Sequence, residues 1–137
     1  MRANILRFTI AALFFLFICW LIVLADLDKE NPILYIGHKV PFGDKIGHFM
    51  LYGVLALLIN IALKFKKIHC KNVSWLLGSS IVLIFAISEE FSQLAFESRT
   101  FDFVDMLFDV LGVIFLSSAL FRTTLKKQLI SVVKAIA

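Results

Sequence analysis

Cysteine and proline are scarce in this chain of 137 residues, with two of each. Cys19 lies inside an apolar run and Cys70 in a lysine-rich stretch, neither in metal-ligand or redox spacing, so no disulfide framework is expected. There is no Gly-rich phosphate loop, serine-nucleophile elbow or His-Glu-x-x-His pair, and no low-complexity stretch or obvious repeat. Acids are missing from Met1–Arg7, from Lys64–Lys71 and from the tail after Asp109. The net charge of +4 comes from lysines and arginines beside apolar runs, with no basic stripe on a soluble domain. Nucleic-acid binding therefore has no support. What is present is apolar: 61% hydrophobic residues and a mean hydropathy of +0.93 define an integral membrane protein.

Four runs are long enough to cross a hydrocarbon core of about 30 Å: roughly 8–25, 46–63, 73–94 and 101–121. Val23-Leu24-Ala25 resembles a signal-peptide cleavage site, which is the competing reading of the first run. That run is, however, longer than the roughly 7–15 residues of a signal core. Residues 26–45, with Asn31-Pro32, Pro41 and Gly43, read as a polar connection in which Leu34-Tyr35-Ile36 meets the interface. The basic run from Lys64 to Lys71 reads as a cytoplasmic loop, and the tail as an amphipathic helix on the inner leaflet. With both termini cytoplasmic, Arg2, Arg7, Lys64, Lys66, Lys67, Lys71, Arg122, Lys126, Lys127 and Lys134 fall inside, and all ten acids fall on the outer side. The expected fold is a single all-α domain over 1–137. It is a four-helix transmembrane bundle with a polar cleft opening outward.

The charges inside the runs are the candidate functional groups, because they are expensive there. Asp44, His48 and Tyr52 follow an i, i+4, i+8 row, with Lys45 beside them. Glu89, Glu90 and Gln93 close the third run. Arg99 follows in a turn, and Asp102, Asp105, Asp109 and Gly112 share one face of the fourth. At about 1.5 Å per residue their depths overlap. Close carboxylates favour a shared proton, so Asp44, His48, Glu90 and Asp105 are expected to be acid/base groups, Asp44 orienting His48. Lys45, Tyr52, Gln93, Arg99, Asp102 and Asp109 are expected to contact ligand, with Arg99 steering an anionic head group. The structural alternative is that the acids pair with Lys45, His48 and Arg99 to hold the helices together. No motif supports a metal or other cofactor, although His48 with Asp or Glu oxygens would suit one.

Asp44-Lys45-x-x-His48-Phe49-x-x-Tyr52, Glu90-x-x-Gln93 and Arg99-x-x-Asp102-x-x-Asp105-x-x-x-Asp109-x-x-Gly112 together resemble the pattern of the VanZ-like family of small bacterial membrane proteins. The resemblance covers about residues 44–120 and departs at Asp109, where the family usually has Asn. It implies a multi-pass protein of the bacterial cytoplasmic membrane. The family's namesake is associated with resistance to the glycopeptide teicoplanin, which supplies context and not a mechanism. Three readings follow. The outer cleft acts on a lipid-linked cell-wall precursor or other envelope ligand; it binds a lipid or partner helix without chemistry; or the chain is a small proton-coupled transporter. The sparse polar groups of the inner halves, Asn60, Ser74, Ser79, Ser80, Ser117 and Ser118, count against the last.

Overall fold

The computed structural model describes residues 2–27, 40–70, 73–97 and 99–136, without the side chains of residues 2, 3, 70, 120, 121 and 124–136. The expected connection between the first two spans, including Leu34-Tyr35-Ile36, therefore lies mostly outside the described residues. The protein is mainly helical: α1 (Arg2–Asp26), α2 (Gly43–Ala62), α3 (Leu77–Ser92) and α4 (Phe103–Ile136). A short hairpin, β1 (Lys67–Cys70) and β2 (Val73–Leu76), separates α2 from α3, and a 3-10 turn (Gln93–Ala95) extends α3. Three helical segments, Asn4–Asp26, Gly43–Ala62 and Leu77–Ala95, are long and apolar enough to cross a membrane. Large side chains such as Phe8, Leu13, Met50, Ile84 and Phe115 stay exposed on the helices, as lipid-facing surfaces require.

The hairpin corrects the expected third span, which begins at Leu77 and not at Val73. Val73 and Trp75 alternate with Ser74, a pattern suited to a pleated strand, and Trp75 pairs with Ile68 across the ladder. The Leu77 N–H donates to the Lys66 carbonyl at 2.8 Å, so the hairpin closes directly onto the start of α3. At the end of α2 the chain turns through Lys64 and Phe65, both at positive φ (53° and 55°). That turn aims the Phe65 N–H at the Asn60 carbonyl (2.7 Å) and so satisfies one of the last carbonyls of the helix. At the other end, α4 continues to Ile136 where a separate tail helix was expected. No glycine or proline follows Gly112 to break it.

The core is a seam of residues at helical spacing: Ile18 from α1, Tyr52, Leu55 and Ala56 from α2, Val82 and Ala86 from α3, and Val113 from α4. Successive helices run in opposite directions, and α2 lies against each of the other three. Its closest partner is α4, because two glycines meet there. A Cβ on Gly53 would lie 2.8 Å from the Gly112 carbonyl oxygen, and one on Gly112 would collide with the backbone of Phe49. Small residues at such a crossing let two backbones approach closely. This contact sets how the first turns of α2 and α4 face each other.

Candidate functional site

The end of α3 and the starts of α2 and α4 gather the polar residues at the end of the molecule opposite the hairpin. Asp102 fixes the geometry there with three bonds. Its Oδ1 accepts the Val104 N–H (2.8 Å) and caps α4, its own N–H donates to Glu90 Oε1 (2.8 Å), and its Oδ2 accepts from Lys45 Nζ (2.9 Å). Lys45 also donates to Asp105 Oδ1 (2.8 Å) and to Asp44 Oδ2 (2.9 Å). One ammonium thus joins three carboxylates on two helices, and all three of its donors are used.

A second cation organises the other side. Arg99 donates to Glu89 Oε1 at 3.2 Å and lies 3.7 Å from Asp26 Oδ1, tying the ends of α1 and α3 to the segment that enters α4. Glu89 is buried and accepts from two further donors, the Tyr52 hydroxyl (3.1 Å) and Gln93 Nε2 (3.2 Å). Gln93 also donates to Glu90 Oε2 at 2.9 Å.

Between these two clamps sits His48, whose Nδ1 lies 3.0 Å from Asp109 Oδ1. This replaces the expected Asp44–His48 pair. Asp44 is on the exposed side of α2 with Lys45, and the carboxylate facing the imidazole comes from α4, one helix away. The pairing of acids with Lys45 and His48 follows the structural alternative read from the sequence. Arg99 departs from both expectations: its guanidinium is committed to Glu89 and Asp26 and does not face Asp102, Asp105 or Asp109.

Every residue expected at the site lies in this cluster or on its rim. Two that belong to it had no role assigned from the sequence: Glu89, placed at the end of the third run, accepts from three side chains, and Asp26 on α1 faces Arg99. The distribution of charge is uneven. Lys45 serves Asp44, Asp102 and Asp105, and Arg99 serves Glu89 and Asp26. Glu90 and Asp109 are the cluster's carboxylates with no lysine or arginine partner among the described residues. Glu90 and Asp109 are 0% and 1% exposed, and each offers an oxygen within 4.8 Å of an imidazole nitrogen of His48. A buried carboxylate beside an imidazole fixes the ring and stabilises its protonated form, which suits it to move a proton.

A separate polar group sits toward the hairpin end of the same seam. Asn60 Nδ2 donates to Ser79 Oγ (2.9 Å) and Ser117 Oγ (3.1 Å), and Ser79 donates to Ser117 (3.0 Å). Asn60 fits because position 78 is glycine, where a Cβ would lie 2.5 Å from Asn60 Oδ1. Interhelical bonds of this kind join helices where no water can satisfy a polar group.

Apolar helices of membrane-crossing length around a buried carboxylate and histidine cluster define a helical membrane protein with a charged interior site. The sequence model of the VanZ/LLP1 family matches residues 3–124, and the chain belongs to that family. The match reaches beyond residues 44–120 to include α1. No curated protein and no solved structure matches the chain.

Proposed function

We propose that this VanZ-like membrane protein acts in the bacterial cytoplasmic membrane on a lipid-linked or other envelope ligand, and that it contributes to teicoplanin resistance. The first part of α4 forms a fourth span in this reading. Both termini then face the cytoplasm, in keeping with the basic residues at Arg2, Arg7 and Lys64–Lys71, and the carboxylate cluster opens outward. The observation that carries the reading is the His48–Asp109 pair with Glu90 beside it, a buried acid/base group at the end of the helices that carries the acids. His48 exchanges the proton, Asp109 orients the ring, and Glu90 holds the start of α4 through the Asp102 N–H. Asp105 and Lys45 shape the local field, and Arg99 keeps the helix ends together.

A second reading has one specific observation in its favour. Lys45 and Arg99 are already bonded to protein carboxylates, which suits a module that binds a lipid or partner helix without chemistry. Teicoplanin susceptibility of cells expressing the wild type, His48→Gln, Asp109→Asn and Asp105→Asn, at matched membrane levels, separates the two. The acid/base reading expects protection by the wild type, its loss in His48→Gln and Asp109→Asn, and a smaller loss in Asp105→Asn. Equal protection by the wild type and all three variants favours the binding module. No protection by the wild type refutes the link to teicoplanin.

A further inference from the structure

We infer that His48, Glu90 and Asp109 form a binding site for one divalent first-row transition-metal cation, Zn²⁺ by its donor set. The site draws on three helices, with His48 from α2, Glu90 from α3 and Asp109 from α4. One ligating atom from each lies within 4.8 Å of the others. Zinc with nitrogen and oxygen ligands at about 2.0–2.2 Å in a tetrahedron needs ligand atoms roughly 3.4 Å apart, so a contraction of at most about 1.4 Å brings the three into range.

An independent observation points to a missing ligand. Asp109 Oδ2 is buried and accepts no hydrogen bond from any described residue, although Oδ1 of the same carboxylate is engaged by His48. A buried carboxyl oxygen with no partner is costly, and a bound cation would relieve it. The charge distribution agrees. Lys45 and Arg99 take the surrounding acids and leave two buried carboxylates beside a single imidazole.

The donor set sets the class of metal. Oxygen-only cages suit Mg²⁺ and Ca²⁺, whereas an imidazole shifts preference toward zinc and its neighbours in the row. Three protein ligands would leave a fourth position for water, and with the cation bound that water, in place of His48, would be the group that exchanges a proton. Gln93, bonded to Glu90 Oε2 at 2.9 Å, and the Asp102 N–H, bonded to Oε1 at 2.8 Å, hold the carboxylate from behind, and such outer partners orient metal ligands.

The test needs no envelope ligand, so its result stands apart from the teicoplanin experiment. The full chain, purified in detergent micelles and stripped with a chelator, is titrated with Zn²⁺ against a chromophoric competitor. We expect one ion per chain. Asp109→Asn and His48→Ala each weaken binding by about tenfold or more, whereas a variant carrying Cys19→Ser, Cys70→Ser and His69→Ala binds like the wild type. Co²⁺ bound to the wild type reports the ligands directly should the variants misfold: visible bands without a sulfur-to-cobalt charge-transfer band are expected. A thiolate band, equal affinity in Asp109→Asn, or no bound ion in the stripped and titrated wild type overturns the site.

Discussion

Glu89→Gln gives the sharpest test of how this cluster is built. The carboxylate is buried and accepts from Tyr52, Gln93 and Arg99 at 3.1–3.2 Å. The amide keeps the shape but halves the acceptors and removes the charge. Its carbonyl oxygen can stay with Arg99 and Gln93. Its NH₂ then faces the Tyr52 hydroxyl, which must turn to accept. The main loss is the negative charge opposite Arg99: the guanidinium, whose side chain is 18% exposed, keeps a neutral acceptor there and the 3.7 Å approach to Asp26. Hydrogen bonds to charged groups contribute about 1.5–3 kcal/mol when mostly buried, and this one belongs in the lower half of that range. For a domain of this size each kcal/mol moves the melting temperature by about 3–5 °C, so thermal unfolding in detergent micelles should drop by roughly 5–10 °C. Glu97→Gln, on the exposed turn, should leave it unchanged. Arg99→Gln should cost a similar amount, and the double variant less than the two combined, because the partners' losses overlap. Arg99→Gln with wild-type stability and strictly additive effects would refute the clamp and return Arg99 to the role of a head-group ligand.

Gly112→Leu drives a side chain into the Phe49 backbone and should push α2 from α4. We expect a loss of about 3 kcal/mol or more, and much lower protein levels in the membrane by immunoblot. Asn60→Leu removes the donor to Ser79 and Ser117 but leaves the bond between the two hydroxyls, so it should cost about 1 kcal/mol in the same melting assay. Asn60→Asp, the same size but ionisable and without the Nδ2 donor, should cost several kcal/mol more.

The helices were legible because lipid-facing segments declare themselves as apolar runs of membrane length. Their ends were less so. The hairpin uses strands of four residues, too short for a two-residue period to stand out from a basic loop. The end of α4 was misjudged because apolarity stops near Phe121 while helical continuity does not, and nothing after Gly112 ends the helix. At the site, the row of acids on α4 was visible from spacing alone. The partners were not, since spacing within one helix offers His48 only Asp44. The carboxylate that reaches the ring is chosen by the Gly53–Gly112 crossing, a contact between residues with no side chain to notice. The partners of Glu89 were hidden for a similar reason. Neighbours on a helix point about 100° apart, so Glu90 at the seam implies Glu89 beside it. Both are buried because α3 is flanked on both sides, by Tyr52 with Arg99 and by Asp102.

The departure at position 109 that the resemblance implies would acquire physical meaning in this arrangement. An asparagine there would give the imidazole a neutral amide partner and leave Glu90 as the carboxylate facing the ring. Aspartate adds a buried carboxyl group, and neither Lys45 nor Arg99 pairs with it, because each is bonded elsewhere. The two clamps explain why the fold tolerates so many acids at one end: each cation crosslinks helices, and together they account for the carboxylates on the rim. They do not account for Asp109. Asp109 joins α4 to α2 only through His48 and carries an unsatisfied oxygen that costs stability, and such costs collect where a protein binds or reacts. Asp109 therefore ties the proposed chemistry and the proposed cation to the same atoms, and Asp109→Asn is the substitution that bears on both.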